Sequence, residues 1–199
     1  MGDTNAAAFW EEFYRRGTIE WDLGEPTPVF RRLLDEGMFA PGRLIVPGAG
    51  SGHDAREFAR RGFAVTAVDF AAEAVQMMRE LAEPDAPVEA VQADIFDLPH
   101  TLDGSFDYVL EYMCFCAIDP QRRPEYADLV ARLLRPGGVL IDLAFPVGTR
   151  PGGPPYAVNP DGIAYMFERR GFALLSRASP PDSVPPRCGV EELLIFQKQ

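Results

Sequence analysis

The most constraining feature of this sequence is a short apolar strand that leads directly into a glycine-rich turn and then into a helix. The segment 44–46 reads LIV, the segment 47–52 reads PGAGSG, and apolar residues at helical spacing begin at Ala55. Glycines at such a turn let a ligand approach the backbone, and the first helical turn offers unpaired N–H groups. The pattern therefore predicts an α/β fold with a ligand site at this turn.

The alternation of strands and helices continues to the end of the chain. Strands are predicted at residues 44–46, 64–68, 88–93, 108–110, 139–145, 172–177 and 191–196. Helical segments between strands imply a mostly parallel, Rossmann-like sheet with helices on both faces. Only a proline-rich connection separates the last two strands, so we expect them to form a hairpin with the last strand antiparallel. We also predict that residues 135–138 end a helix in a turn before the fifth strand.

Charge and length exclude several classes of function. The 199 residues contain 30 Asp plus Glu against 19 Lys plus Arg, a net charge of −11, which would be repelled by nucleic acid or an anionic membrane. No apolar run reaches the roughly 20 residues of a membrane span, and residues 1–8 lack the regions of a signal peptide. The three cysteines are too few for a disulfide framework. We expect a cytoplasmic monomer without a metal site.

Acidic residues follow the second and third strands. Asp69 ends the second strand, where a carboxylate can accept both hydroxyls of a ribose. Asp94 ends the third strand, and Ile95 follows it, so an adenine ring could meet a carboxylate and an apolar neighbour there. The glycine turn and two acids at three consecutive strand ends predict a site for S-adenosylmethionine.

A nicotinamide cofactor is disfavoured by the spacing of the turn. The dinucleotide fingerprint G-x-G-x-x-G would place its third glycine at position 53, which is His53, whereas the third glycine here is Gly52. The closing hairpin also argues against an oxidoreductase of that class.

Aromatic and polar residues near the fourth strand and the amino terminus complete the candidate site. Glu111, Tyr112 and Phe115 follow the fourth strand and would line the crevice near the sulfonium. The early segment supplies Trp10, Tyr14 and Trp21, whose faces can hold a cation or pack on the sheet. Cys114 and Cys116 are predicted to share one face of a strand as small apolar residues.

Six longer motifs lie in order along nearly the whole chain. They are residues 10–14 (W-x-x-x-Y), 21–24 (WD-x-G), 46–54 (VPG-x-G-x-GHD), 115–120 (FCAIDP), 134–138 (LRPGG) and 152–156 (GGPPY). In these motifs the chain resembles the thiopurine S-methyltransferase family, and within it the bacterial and plant branch that methylates thiols and halide-type anions.

That resemblance implies a seven-stranded class I methyltransferase fold with S-adenosylmethionine as cofactor. It implies a single domain, 1–199, with an amino-terminal cap, 1–40, and a Rossmann-like core, 41–199. The candidate cofactor-binding residues are Trp10, Tyr14, Trp21, Gly48, Gly50, Gly52, Asp69, Phe70, Asp94, Ile95, Glu111 and Tyr112. The candidate acceptor-binding residues are Trp21, Phe115 and Tyr156. Tyr112 stands where the mammalian branch has an arginine, which argues against thiopurine itself as the acceptor.

The expected reaction is methyl transfer to a small soft nucleophile, a thiol first, or a halide or thiocyanate. A thiolate or halide already carries its lone pair, so a general base is not obligatory. We expect His53 to make local hydrogen bonds and His100 to be exposed, and no catalytic residue is assigned.

Two alternatives remain. One is methylation of oxygen or of a metalloid such as tellurite or a selenium compound, for which Cys114 and Cys116 are the relevant residues. The other is a non-catalytic regulator that binds S-adenosylmethionine, against which the acceptor motif at 152–156 argues.

Overall fold

The computed structural model describes residues 4–199, and its elements follow the predicted alternation. The helices are α1 Ala7–Arg16, α2 Pro28–Asp35, α3 His53–Arg60, α4 Ala72–Glu80, α5 Arg123–Leu133 and α6 Pro160–Glu168. The strands are β1 Arg43–Pro47, β2 Ala64–Asp69, β3 Val88–Gln92, β4 Phe106–Glu111, β5 Leu134–Ala144, β6 Phe172–Ala178 and β7 Glu192–Lys198. The first three residues of the predicted cap lie outside the described part of the chain.

The chain divides into two compact units, Met1–Leu98 and Pro99–Gln199. The strands of the first unit lie in the order β3-β2-β1, and those of the second unit lie in the order β4-β5-β7-β6. The pairs β1–β2, β2–β3 and β4–β5 are parallel, whereas β7 runs antiparallel to both β5 and β6. The predicted α/β class, with seven strands and an antiparallel last strand, is confirmed.

In the first unit, the ends of the helices follow local sequence rules. Helix α1 ends at Gly17, whose φ of 64° places it in the left-handed conformation favoured for a helix stop. Helix α2 begins with Pro28. Proline suits the first helical position because the backbone N–H that it lacks would have no acceptor within the helix there. The apolar face of α2 is buried, and Phe30 packs on Phe58 of α3 with ring centroids 6.3 Å apart.

In the second unit, α6 and the closing hairpin form one part of the apolar core. The side chain of Asn159 accepts hydrogen bonds from the amides of Asp161 and Gly162, which caps α6. Phe167 of α6 packs against Phe172 and Phe196, each with ring centroids 5.3 Å away. No helix within residues 4–199 is long and apolar enough to cross a bilayer.

The predicted turn at residues 135–138 is wrong, because these residues lie inside β5. Phe106 pairs with Leu134 and Tyr108 pairs with Val139, so one residue of β4 faces four residues of β5 in a bulge. The Nε atom of Arg135 donates to Oδ1 of Asp107 at 2.6 Å, which ties the bulge to β4.

The predicted strand position of Cys114 and Cys116 is also wrong. Strand β4 ends at Glu111, and both cysteines lie in the bend and turn that follow it. Met113 adopts a φ of 70°, so the chain leaves the extended conformation there. The carboxylate of Glu111 accepts the backbone N–H groups of Cys114 and Phe115, which replaces strand pairing with a tight turn.

Candidate functional site

The glycine turn between β1 and α3 has the geometry that the sequence predicts. Gly48, Gly50 and Gly52 have φ values of 60°, 56° and 75°, a region that favours glycine. A Cβ atom at Gly52 would lie 2.8 Å from Cγ of Met78, and one at Gly50 would lie 3.3 Å from the hydroxyl of Tyr14. Tyr14 and Met78 therefore occupy the space that a Cβ atom would need at these two positions, which accounts for glycine at both.

Asp69 lies at the end of β2 beside the glycine turn. Its side chain is buried, and Oδ2 accepts the N–H of Gly50 at 2.9 Å while Oδ1 accepts the N–H of Ala71 at 2.9 Å. Burial raises the pKa of Asp69, and the hydrogen bonds from these amides oppose that shift. A carboxylate has about four acceptor sites, and the amide of Phe70 also bonds to Asp69, so capacity remains for a hydroxyl donor.

Asp94 lies beyond the end of β3, the strand next to β2 in the first unit. Its Oδ1 accepts the N–H of Phe96 at 2.9 Å and caps a short 3-10 turn, Ile95–Asp97. Ile95 is buried, and Phe70, just after Asp69, is half-buried. The first unit thus places the glycine turn and the two predicted acids at the same ends of three neighbouring parallel strands.

The predicted aromatic residues of the amino-terminal segment contact one another. The ring of Trp21 lies edge-on to Trp10, with centroids 5.6 Å apart, and to Tyr14, with centroids 5.9 Å apart. The hydroxyl of Tyr14 lies beside Gly50 and accepts a hydrogen bond from the Trp21 side chain. Burial raises the pKa of Tyr14, so this hydroxyl stays protonated. The aromatic group therefore reaches the glycine turn within the first unit.

Glu111 at the end of β4 is fully engaged in local hydrogen bonds. Oε1 accepts the N–H groups of Cys114 at 3.0 Å and Phe115 at 2.7 Å, and Oε2 accepts the hydroxyl of Tyr126. Burial raises the pKa of Glu111 to about 7. Its carboxylate shapes the turn that carries Phe115, a task that the sequence did not indicate.

Tyr112 belongs to a buried polar cluster in the second unit. Its hydroxyl donates to Oε1 of Glu191 and accepts from Nη1 of Arg187. The guanidinium of Arg187 lies 5.3 Å from the centroid of the Tyr112 ring and 5.4 Å from that of Phe145. Burial, followed by the hydrogen bond to Glu191, raises the pKa of Tyr112. The structure thus brings an arginine to this tyrosine from 75 residues away.

The loop that carries Tyr156 is hydrogen-bonded to the turn after β4. The N–H of Tyr156 donates to the carbonyl of Cys116 at 2.7 Å. Arg123, at the start of α5, donates to the carbonyls of Tyr156 at 3.3 Å and Ala157 at 3.0 Å. The same guanidinium lies over the ring of Phe115, 4.7 Å from its centroid. The two predicted acceptor-binding residues, Phe115 and Tyr156, are therefore held in one cluster.

The two cysteines of that turn are poorly suited to metalloid chemistry. Cys114 and Cys116 are both buried, and the thiol of Cys116 donates to the carbonyl of Met113 at 3.3 Å. Burial raises the pKa of the Cys116 thiol, which suppresses the reactive thiolate. Within residues 4–199 no group of three or more His, Cys, Asp or Glu side chains could hold a metal ion.

His53 and His100 differ in their surroundings. His53 starts α3, and its Nδ1 atom lies 2.9 Å from Nη2 of Arg56. Burial lowers the pKa of His53. His100 is exposed and its Nδ1 atom lies 3.0 Å from a carboxylate oxygen of Asp103. Each makes local contacts to its neighbours.

Comparison with known proteins decides the family. The sequence profile described as thiopurine S-methyltransferase matches residues 5–187. The chain belongs to the thiopurine S-methyltransferase family. This confirms the resemblance drawn from the six motifs.

Relatives of this family member carry methyltransferase names. "Probable thiol methyltransferase 2" of Arabidopsis thaliana is 35% identical over 196 residues, which cover 98% of this chain and 86% of the relative. "Thiocyanate methyltransferase 1" of the same plant is 34% identical over 192 residues, covering 95% and 84%. The chain is accordingly an S-adenosylmethionine-dependent methyltransferase, as predicted.

Solved structures show the fold of the family member. The 1,6-didemethyltoxoflavin-N1-methyltransferase of Burkholderia thailandensis, with bound 1,6-didemethyltoxoflavin and S-adenosylhomocysteine, superposes with a TM-score of 0.77. The identity is 20%, and the match covers 97% of this chain and 87% of the other. The glycine turn and the buried carboxylate of Asp69 in the methyltransferase fit a ligand with an amino-acid end and a ribose.

Proposed function

We propose that this methyltransferase acts on a small soft nucleophile, a thiol first, with thiocyanate and halide as related acceptors. The main support for this class of acceptor is the similarity, over almost the whole chain, to plant relatives that are named as thiol and thiocyanate methyltransferases. The clustered Phe115 and Tyr156 support it, because an aromatic and apolar wall suits a small, weakly hydrated acceptor.

The first unit supplies most of the proposed cofactor-binding residues. Gly48, Gly50 and Gly52 would bind the amino-acid end through their backbone, and Asp69 would accept the ribose hydroxyls. Asp94 would accept from the adenine amino group, with apolar contact from Ile95 and Phe70. Trp10, Tyr14 and Trp21 would flank the cofactor, and Trp21 would also contact the acceptor.

Glu111 and Tyr112 take an indirect part in this proposal. Their polar atoms are bonded to the turn at 114–115 and to Arg187 and Glu191. We infer that they fix the position of Phe115 and of the backbone around it, which limits how the cofactor and acceptor can lie.

Catalysis in this proposal rests on orientation. Bound S-adenosylmethionine supplies an electrophilic methyl group on a sulfonium. The aromatic side chains exclude water and hold the acceptor in line, and good orientation can contribute on the order of 7–11 kcal/mol to a two-reactant step. A thiolate brings its own lone pair, so no residue of the chain is assigned as a general base.

We propose that the two units act as one methyltransferase domain, 1–199, with residues 1–40 as a cap. The family profile supports this, because its match at 5–187 runs through both units.

We also propose a monomer in a reducing cytoplasm, with a small-molecule acceptor and no nucleic acid partner. Three free cysteines and a net charge of −11 support this proposal.

The test is an acceptor panel with S-adenosylmethionine supplied, in which release of S-adenosylhomocysteine is measured. We expect turnover with thiols and weaker turnover with thiocyanate or iodide. Release with none of these acceptors would contradict the proposed class.

Two variants test the proposed acceptor site. Tyr156→Ala and Trp21→Ala should each lower kcat/KM for a good thiol by roughly tenfold, because each removes an aromatic side chain. Tyr165→Ala is the matched control, because Tyr165 lies on α6 and is 62% exposed. If Tyr156→Ala and Trp21→Ala both retain the wild-type rate, the acceptor residues are wrongly assigned.

A further inference from the structure

Asp22, which follows Trp21 in the segment between α1 and α2, is hydrogen-bonded to the glycine turn. The hydroxyl of Ser51 donates to Oδ2 of Asp22, and Nε2 of His53 lies 3.4 Å from Oδ1. The amide of Gly24 donates to the same Oδ1 at 2.7 Å. The Asp22 side chain is only 11% exposed, so these contacts are poorly screened by water.

Arg56 orients both partners of Asp22. Its Nη1 donates to the carbonyl of Ser51 at 2.7 Å, and its Nη2 lies 2.9 Å from Nδ1 of His53. A guanidinium can only donate, so Nδ1 accepts and the ring proton of neutral His53 is assigned to Nε2. That N–H faces Asp22, and the arginine itself is buried. A buried network thus presents two donors to one carboxylate.

A second attachment lies five residues further along the segment. The amide and hydroxyl of Thr27 donate to Oδ1 and Oδ2 of Asp54 at 2.7 and 2.9 Å. Asp54 belongs to the first turn of α3, directly after the glycine turn. The segment from Asp22 to Thr27 is therefore fixed at both ends to the same turn and helix start.

We propose that Asp22 is a positioning residue for cofactor binding, which holds Trp21 and Tyr14 against the glycine turn. This inference rests on the proposed function for the roles of the turn and of the two aromatic residues. Ser51, the partner of Asp22, stands between Gly50 and Gly52. The bond to Asp22 therefore joins the aromatic segment to the part of the backbone that is shaped for a ligand.

The position of Trp21 follows from this contact. Trp21 directly precedes Asp22, packs edge-on to Tyr14 and donates a hydrogen bond to its hydroxyl. Without the carboxylate, Ser51 and His53 lose their shared acceptor, and of the two attachments at Asp22 and Thr27 the one between Thr27 and Asp54 remains. Trp21 and Tyr14 then sample positions away from the turn, and the cofactor loses part of its binding surface.

Intrinsic fluorescence gives a test that does not depend on turnover. The chain has two tryptophans: Trp21 directly precedes Asp22, and Trp10 on α1 packs against the Trp21 ring. S-adenosylhomocysteine is titrated, without acceptor, into wild type, Asp22→Ala and the matched control Glu20→Ala. Glu20 is an exposed acid on the other side of Trp21, so its removal makes the same charge change.

We expect Asp22→Ala to raise the Kd for S-adenosylhomocysteine roughly tenfold and to shift tryptophan emission to longer wavelength in the free protein. Glu20→Ala should stay within about twofold of wild type. Asp22→Asn keeps one acceptor oxygen for Ser51 and should recover part of the affinity. An unchanged Kd in folded Asp22→Ala overturns the proposal, since a purely structural contact alters the unfolding midpoint alone.

A double-variant cycle with Ser51→Ala identifies the contact itself. If Asp22 acts through Ser51, the Asp22→Ala/Ser51→Ala variant binds no more weakly than the weaker of the two single variants. Effects that simply add overturn the proposal. Should Asp22→Ala lack a cooperative unfolding transition, Ser51→Ala alone is titrated, and wild-type affinity there overturns it equally. Wild-type protein that gives no response to S-adenosylhomocysteine contradicts the proposed cofactor site instead, which separates the two failures.

Discussion

Tyr126 donates its hydroxyl hydrogen to the carboxylate of Glu111, and both side chains are buried, with exposures of 0% and 3%. The other carboxylate oxygen accepts the amides of Cys114 and Phe115. Asp142, the register partner of Glu111 on β5, is buried as well. Helix α5, strand β4 and the turn that carries Phe115 are thus joined at one acidic side chain.

The first prediction concerns stability against pH. The pKa of Glu111 is raised from 4.5 to about 7 by burial, so between these values the folded state binds more protons than the unfolded state. The stabilisation of the folded state by protonated Glu111 is fully present below pH 4.5 and is lost as the pH rises to 7 and above. Glutamine does not titrate. We therefore expect the free energy of unfolding of Glu111→Gln, relative to that of wild type, to rise by about 2 kcal/mol between pH 5 and pH 8.

Urea unfolding of both proteins at the two pH values measures this difference. Glu125→Gln, an exposed change on α5, is the control and should follow wild type at both pH values. If the free energies of unfolding of wild type and Glu111→Gln differ by the same amount at pH 5 and pH 8, the assigned direction of the pKa shift is contradicted.

The second prediction concerns Arg123. Its guanidinium binds the carbonyls of Tyr156 and Ala157 and covers Phe115, and a lysine cannot reproduce this forked, stacked geometry. Arg123→Lys should therefore lower kcat/KM for a thiol by about tenfold, mainly through KM, with S-adenosylhomocysteine affinity unchanged.

Arg122→Lys is the control for this change, because Arg122 pairs with the exposed Glu125 at the start of α5. Steady-state kinetics and a titration with S-adenosylhomocysteine provide both measurements. A loss of cofactor affinity without a change in KM for the thiol would refute the assignment of Arg123 to the acceptor loop.

The third prediction is a thiol count. Cys114 and Cys116 are buried, with exposures of 9% and 2%, whereas Cys188 is exposed. A thiol reagent such as dithionitrobenzoate should titrate one thiol rapidly in the folded protein and three in denaturant. The Cys114→Ala/Cys116→Ala variant should retain thiol methylation if it folds. Rapid reaction of all three thiols in the native protein would show that the turn after β4 is open.

The fourth prediction is an order of binding. A chain with a net charge of −11 attracts small anions poorly, so we expect the cationic sulfonium to add to the local positive charge of Arg123 beside Phe115. Thiocyanate should bind roughly tenfold more tightly with sinefungin, which carries an amine in place of the sulfonium, than with uncharged S-adenosylhomocysteine. Calorimetric titration compares the two, and equal affinities would speak against an ordered mechanism.

Local sequence signals were sufficient for the main elements of the fold. The β1 strand, the glycine turn and the start of α3 at His53 follow from short-range rules for strands, turns and helix caps. Gly17 ends α1 in the left-handed conformation, which a glycine after a helix commonly adopts. The antiparallel pairing of β6 and β7 follows from the proline-rich connection between them, which contains no α-helix.

Contacts between residues far apart in sequence were not predictable in the same way. Tyr112 and Arg187 are separated by 75 positions, and Asp22 and Ser51 by 29, so no periodic pattern joins them. The strand position of Cys114 and Cys116 was wrong because the Glu111 carboxylate competes with strand pairing for the amides after β4. Alternation of residue types along the chain does not reveal such a side-chain acceptor.

The loop before Tyr156 has a closed base. Val147 bridges Val158, the N–H of Val158 donates to the carbonyl of Pro146 at 2.9 Å, and residues 148–152 between them are exposed. Changes of length in a loop with fixed ends cost little, about 0.6 kcal/mol for each doubling. Insertions and deletions at 148–151, before the motif at 152–156, can therefore be accommodated without displacing β5 or α6. The length of this loop can therefore change the shape of the proposed acceptor site while the methyltransferase fold is retained.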